Sequence, residues 1–257
     1  MRLRLIALGC ALTGTIGLLA LPPAVRAEGA VLAGKPVKHV KAVTPAKTAL
    51  SVTSSATAYR YGTAVRLTVR LGPTSDNRVV SVYATPAGEP RTRIASGPDD
   101  AGRLLDPAYR LTRTTTFTAV FGGDGRNAPA TATRTVQAAA SVAERLAGYF
   151  KQTKIGKLTY DVFHGSSTLT LHATVRPTKR GECLEPETEQ YDHGIGWTSD
   201  TKYGCDAMDS AGHDTAPFKL AQAVGGKYRI RSDYIRGRAD TANLSTDSGW
   251  LYLTVVK

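Results

Sequence analysis

Beyond the first thirty residues the sequence holds two cysteines, Cys183 and Cys205, with His193 and His213 close by. Those residue types can ligate zinc or close a disulfide. No CxxC and no closely spaced histidine pair accompanies them, so the zinc reading lacks the usual ligand spacing. An even number of cysteines in an oxidising compartment pairs most simply as one disulfide. Closing a loop of roughly twenty residues stabilises a fold by about 3 kcal/mol in the chain-entropy picture. No metal and no cofactor is expected.

Glu185, Glu187 and Glu189 alternate ahead of Asp192, and paired carboxylates are what glycoside cleavage or calcium binding would use. At period two the three glutamates share one strand face, and a solvated face is the expectation, because unpaired carboxylates are rarely buried. Ser199-Asp200-Thr201-Lys202 has the form of an S-x-x-K nucleophile, but that chemistry needs a buried helix and two further motifs that this sequence lacks. GxSxG and HExxH are absent, and Asp124-Gly125-Arg126-Asn127 lacks the acidic repeat of a calcium loop. Catalytic residues are therefore not assigned.

Tyr191, Trp197 and Tyr203 surround the loop that the disulfide would brace. Two readings of Trp197 stand side by side: a plug at one end of the core, which is the plainer one, or a ring on which a sugar stacks, with Tyr191 and Tyr203 beside it. Trp250 and Tyr252 alternate with Leu251 and Leu253, so one row faces outward or toward another domain.

The elements that would position these residues are strands. Phe117, Ala119 and Phe121 alternate with Thr116, Thr118 and Val120, a glycine-rich turn follows at Gly122–Gly125, and Ala130–Val136 returns. Ile230, Ser232 and Tyr234 repeat the pattern before a polar stretch and the last row, Leu251, Leu253 and Val255. Each stretch reads as the final hairpin of a sandwich. Val65, Leu67, Val69 and Leu71 alternate with Arg66, Thr68 and Arg70; Val80, Val82 and Ala84 form another buried row. Weaker strands are expected at Arg91–Ala95 and Leu104–Leu111, with turns at Gly72–Asn77 and Gly97–Gly102. Farther along, strands are expected over Leu158–Phe163, Thr168–Val175, Cys183–Tyr191, Lys202–Cys205, Thr215–Ala223, Lys227–Tyr234 and Trp250–Val256. Val142–Phe150 fits a short helix or a first strand, with strand preferred because its neighbours continue in that style. Short strands with Gly/Pro/Asp punctuation give an all-β chain of two tandem antiparallel β-sandwiches.

Domain organisation follows. Residues 1–27 read as a secretory signal: Arg2 and Arg4 precede the apolar stretch Leu5–Leu21, and Val25-Arg26-Ala27 supplies the small residues for cleavage before Glu28. Cys10 comes too early for a lipoprotein box, and Pro22, Pro23 and Arg26 argue against a retained span, so no membrane span is expected after cleavage. Residues 28–47 form a basic leader without a stable period, residues 48–137 a first sandwich, 138–156 a linker or first strand, and 157–257 a second sandwich.

The formal net charge of +12 becomes +9 once Arg2, Arg4 and Arg26 are removed with the signal. Residues 46–137 carry one lysine and eleven arginines against six acids, whereas residues 141–257 carry fifteen bases against fourteen acids. The excess belongs to the first sandwich and the leader. It favours an anionic neighbour. Nucleic acid is set aside because no recognition helix, zinc finger or RNP-like aromatic pair accompanies the charge.

Several of these residues also carry a resemblance. Thr48–Val52, Tyr61-Gly62-Thr63 leading into Val65-x-Leu67-x-Val69, Val80–Ala84, and above all Phe117-Thr118-Ala119-Val120-Phe121-Gly122-Gly123-Asp124 with Ala128-Pro129-Ala130 resemble the bacterial immunoglobulin-like repeat domains, over about residues 46–137. In that family the Gly-Asp turn links the last two strands; Asn127 stands here where an aromatic is usual. The resemblance implies a first sandwich of immunoglobulin-like fold, used in secreted and surface proteins for spacing, adhesion or binding, without catalysis. The second sandwich is similar in rhythm and in its last hairpin, and is taken as immunoglobulin-like by analogy.

The combined expectation is a secreted, non-enzymatic bacterial protein, loosely associated with the cell envelope through anionic wall polymer or a surface glycan. The alternative is a carbohydrate-binding module centred on Trp197, with an enzyme third.

Overall fold

A computed structural model describes residues 44–72, 78–99 and 105–257. The signal segment, all but the end of the leader, residues 73–77 of the turn expected at Gly72–Asn77 and residues 100–102 of the one expected at Gly97–Gly102 lie outside the described residues; residues 97–99 of the latter belong to a strand instead. The described residues belong to one unit, Val43–Lys257. Among them the chain is all β. It has no α-helix, only a short 3-10 turn at Ala221–Ala223, so no helix is long and apolar enough to cross a membrane.

Eight strands build the first sandwich: β1 Leu50–Ser54, β2 Ala58–Arg60, β3 Ala64–Leu71, β4 Arg78–Pro86, β5 Thr92–Asp99, β6 Ala108–Arg110, β7 Thr115–Phe121 and β8 Ala130–Ala139. The long strands β3, β4 and β7 form where alternation puts them; β5 runs on to Asp99, and β6 is shorter than the Leu104–Leu111 expected. Val65, Leu67, Val69 and Leu71 are buried while Arg66 and Arg70 are exposed, and Phe117, Ala119 and Phe121 meet Val80, Val82 and Ala84 in one core. Each fully buried Leu, Val or Phe contributes about 1.5–3 kcal/mol. One sheet has the order β1-β3-β6, and the facing sheet β2-β8-β7-β4-β5.

Eleven strands follow: β9 Ser141–Ala147, β10 Lys151–Ile155, β11 Leu158–His164, β12 Thr168–Arg176, β13 Cys183–Asp192, β14 Gly196–Lys202, β15 Asp206–Ala207, β16 His213–Lys219, β17 Lys227–Ile235, β18 Thr246–Asp247 and β19 Leu251–Val256. The smaller sheet is β9-β12-β16, and the larger runs β10-β11-β19-β17-β13-β14, with β15 and β18 attached to β13 and β17. Setting aside β10, β15 and β18, the two sandwiches share one topology. In each, the first, third and sixth strands make a three-stranded sheet, and the second lies parallel to the last in the other sheet (β2 with β8, β11 with β19). These two pairs are parallel; the other pairs of named strands are antiparallel.

Residues 142–147 are strand, and the alanines before them are not a loose tether. β8 runs to Ala139 and β9 starts at Ser141, with Ala138 near the end of β8 and Ala140 between the two strands both buried. The loop from β17 to β18 closes over this joint. Leu244 N–H donates to Ala138 O (2.8 Å), Ala140 N–H to Leu244 O (3.1 Å), and Thr114 N–H to Ala242 O (2.6 Å). Asn243, fully buried, donates from Nδ2 to Thr112 O at 3.0 Å. The loop is held from its own side by Asp240. Its Oδ2 takes Lys179 Nζ at 2.5 Å and the Tyr234 hydroxyl at 2.7 Å, and its Oδ1 takes Ala242 N–H at 2.8 Å. Small alanines let three backbone segments approach closely enough to hydrogen-bond.

Candidate functional site

Cys183 and Cys205 form a disulfide across 22 residues, tying the start of β13 to the segment before β15. Both thiols are consumed, which removes the zinc reading that needed them. His193 instead packs edge-on against Tyr191, and His213 lies 3.8 Å from Asp209. Among the described residues no cluster of three or more His, Cys, Asp or Glu side chains could hold a metal ion.

The outward face of the larger second sheet gathers most of the residues whose chemistry the sequence brings forward. Register pairs Glu189 with Arg229, Glu187 with Arg231 and Glu185 with Asp233 across β13 and β17. Arg229 Nη2 lies 2.5 Å from Glu189, Arg231 Nη2 lies 2.8 Å from Glu187, and each Nε donates to the same carboxylate oxygen. Lys202 reaches Glu185 (3.4 Å) and Asp233 (3.8 Å), and Arg231 reaches Asp247 (3.3 Å). The glutamates are therefore not a solvated row. Glu187 is buried, because an arginine on the neighbouring strand compensates its charge. Burial pushes the Asp233 carboxyl above its ordinary range, with Glu187 and Asp247 adding to the push and Arg231 and Lys202 opposing it. Burial works against the Arg231 guanidinium, but its hydrogen bond to Glu187 and the surrounding carboxylates leave its pKa raised.

Over these ion pairs stands an aromatic ladder. Trp197 lies in strand β14 opposite Tyr191, not in a loop, with ring centroids 5.3 Å apart; Tyr252 is 5.7 Å from Trp197, and Tyr160 is 5.5 Å from Tyr252. Arg229 Cζ sits 4.8 Å from the Trp197 ring and 4.2 Å from Trp250, and Arg231 Cζ lies 4.5 Å from Trp250. Rings and guanidinium groups alternate, Trp197, Arg229, Trp250, Arg231. Cation–π contacts of this kind are worth about 0.5–2 kcal/mol each. Trp197 is thus outside the core, and ring surface that a sugar would need is shared with arginine.

Tyr203 is on the opposite side of the same sheet. Its ring meets Phe218 edge-on at 4.8 Å, and its hydroxyl lies 3.4 Å from Thr188 Oγ1. The structure therefore brings Tyr191 and Trp197 together and separates Tyr203 from them. Because the smaller sheet has only three strands, the inner side of β13 and β14 is left partly uncovered. The result is a cleft of about 920 Å³ between β14 and β16, walled by Tyr203, Phe218, Tyr228 and Ile230 with Asp206 and Asp214 at its polar end. Burial raises the Asp214 pKa, the Thr215 N–H opposes that, and Asp206 adds to it.

Sequence reasoning missed Trp250, Arg229 and Arg231 as partners of Trp197, although Arg229-x-Arg231 set against Glu187-x-Glu189 was a visible complementary pattern. Nothing in the sequence pointed to Asp214 and Phe218, whose neighbours come from β13 and β14.

Fold and site together define an all-β tandem sandwich protein braced by paired charges. No family model matches the chain, and no curated protein matches it. Among solved structures, a tetra-tandem repeat in the extending region of a large adhesion protein is similar at 14% identity and a TM-score of 0.33, covering 79% of this chain and 50% of that one. This chain thus spans half the length of that structure, and the likeness is too slight to bear on function.

Proposed function

We propose that the chain is a non-catalytic binding protein of two immunoglobulin-like repeats, acting outside the cell and holding to anionic envelope polymer through the outer face of its first sandwich. The observation that carries this reading is a row of arginines. Register places Arg66, Arg70 and Arg110 on one exposed face of β3 and β6, beside Ser51, Thr53 and Thr68. Arg66 meets Asp106 at 3.1 Å, with its side chain still 74% exposed. Arg66 and Arg70 are spaced roughly 13 Å apart along the strand. Such spacing suits repeated negative charges on a chain better than one pocketed anion.

The shared topology supports one reading for both sandwiches, since in each the first strand lies in the small sheet while the second pairs parallel to the last in the large one. The disulfide supports an oxidising, extracytoplasmic setting. The Arg–Glu pairs support a structural role for the charged rows of the second sandwich, because those groups satisfy one another. A glycan site at Trp197 has Tyr191 and Tyr252 in its favour, but Arg229 over the indole opposes it.

The test is retention of residues 28–257 on cell-wall fractions rich in anionic polymer, at low and high ionic strength. Retention should fall as salt shortens the Debye length from about 10 Å toward about 3 Å, and fall again in Arg66→Glu/Arg70→Glu. Retention that ignores both salt and the charge reversal would overturn the reading.

A further inference from the structure

The inter-sheet cleft of the second sandwich has a chemistry of its own. Its volume lies within the roughly 300–1,000 Å³ of small-ligand sites, and its walls are aromatic. Tyr203 is 47% exposed there, yet it is held against Phe218 and near Thr188. At the polar end, Asp214 Oδ1 accepts the Thr215 N–H at 2.8 Å, while Oδ2 is buried with no hydrogen-bond partner. Asp214 pairs with Ala173, whose side chain is buried, so its carboxylate lies on the inner face of the small sheet. The one lysine lining the cleft, Lys219, donates to Thr168 Oγ1 at 3.0 Å. Among the described residues, then, the negative charge at this end of the cleft is not opposed. Asp214 Oδ2 itself is shielded, so a ligand in the cleft meets Asp206, which is exposed, and the remaining accessible edge of Asp214.

The strands that border the opening disfavour a further strand as occupant. β16 carries Pro217, which has no N–H to donate, and the register of β13 against β14 shifts between Thr188 and Glu189. A compact group fits better than an extended chain.

We propose that this cleft binds a small organic cation, a primary ammonium on an apolar body, with the ammonium at Asp206 and Asp214 and the body against Tyr203, Phe218 and Tyr228. The site lies in the other sandwich from the arginine row and stands independently of wall retention. Charge and ring act together: the carboxylates select the cation, and the aromatic wall adds cation–π and apolar contact.

Calorimetric titration of residues 28–257 with phenethylamine, phenethyl alcohol and 3-phenylpropanoate tests it. The amine should bind at least about tenfold more tightly than the alcohol, as expected for one charge-assisted hydrogen bond, and the carboxylate should not bind. Asp214→Asn should weaken the amine by about tenfold or more, and so should the exposed-site variants Asp206→Lys and Tyr203→Leu, which keep the test decisive if Asp214→Asn unfolds. Equal binding of amine and alcohol, no binding of the amine, or amine binding unchanged in Asp206→Lys and Tyr203→Leu overturns the assignment. Wall retention of the same variants, measured in parallel, should stay at the wild-type level, so each site is judged on its own readout.

Discussion

Lys179, Asp240 and Tyr234 hold the loop that closes the joint between the sandwiches, and their removal has a calculable effect. The Lys179 and Asp240 side chains are each 8% exposed, so neither charge falls back on water if its partner is lost. Breaking a buried pair from one side costs about 3–5 kcal/mol, whereas replacing both partners by neutral groups is often close to neutral. Asp240→Asn keeps an acceptor for the Ala242 N–H and removes the charge; Lys179→Met keeps the volume and strands the carboxylate. Each single change is expected to cost about 3 kcal/mol, with the double variant no worse than either alone, a coupling of about 3 kcal/mol. Urea unfolding of the four proteins measures this, and amide exchange at Thr114 reports whether the joint opens first. Acid supplies a second arm. Burial pulls the Asp240 carboxyl up, but hydrogen bonds from Lys179, Tyr234 and the Ala242 N–H outweigh it and leave the pKa below the ordinary value. A depressed carboxyl contributes stability that is complete above the unfolded-state pKa, about 3.9, and is lost as pH falls through the folded value. The gap between wild type and Asp240→Asn should therefore narrow at the acid end. Additive single costs, or a gap that does not change with pH, would refute this account of the joint.

Other outcomes follow from single contacts. Reducing the Cys183–Cys205 disulfide, or replacing both cysteines by serine, should lower unfolding stability by about 3 kcal/mol, read as a drop in the urea midpoint on adding reductant. Trp197→Ala should cost about 2–3 kcal/mol, from lost aromatic pairing and cation–π contact, with retention on a polysaccharide panel unchanged; lost retention in a folded variant would restore the glycan reading. Gly123→Ala should destabilise the β7–β8 turn by about 1–3 kcal/mol, because Gly123 has φ +82° and a Cβ there would lie 2.9 Å from Pro129 N. Thermal unfolding checks this, and an unchanged midpoint would show that the Gly-Asp turn is not constraining.

Alternation made the cores legible. The buried faces of β3, β4, β7, β12 and β19 could each be drawn from sequence, because a strand with one wet side records that side in every second residue. Neighbours across a sheet leave no such record. The glutamates of β13 read as solvated because nothing local shows that Arg229 and Arg231, some forty residues on, arrive beside them. The strand expected at Lys202–Cys205 is instead Gly196–Lys202, with Tyr203 to Cys205 between strands. Gly196, with φ +97°, lets the chain turn back directly after Asp192 and pair along β13. The strand expected over Thr215–Ala223 ends at Lys219, and β2 escaped notice because three residues paired in parallel to a strand nearly eighty positions away have no local turn to announce them. Composition marks the alanines at 138–140 as linker, whereas their smallness serves close backbone packing. Trp197 and Tyr203 looked like one cluster because sequence proximity hides that a six-residue separation along a bulged hairpin can end on opposite sides of a sheet.

The parallel pairing of β2 with β8, and of β11 with β19, has a mechanical consequence. Tension applied to the two ends of such a sandwich draws its second and last strands past one another lengthwise, so their hydrogen bonds are loaded together and not peeled one at a time. With Ala140 buried and β8 passing almost directly into β9, little slack separates one such clamp from the next. A tether built this way lengthens little until a whole sandwich yields.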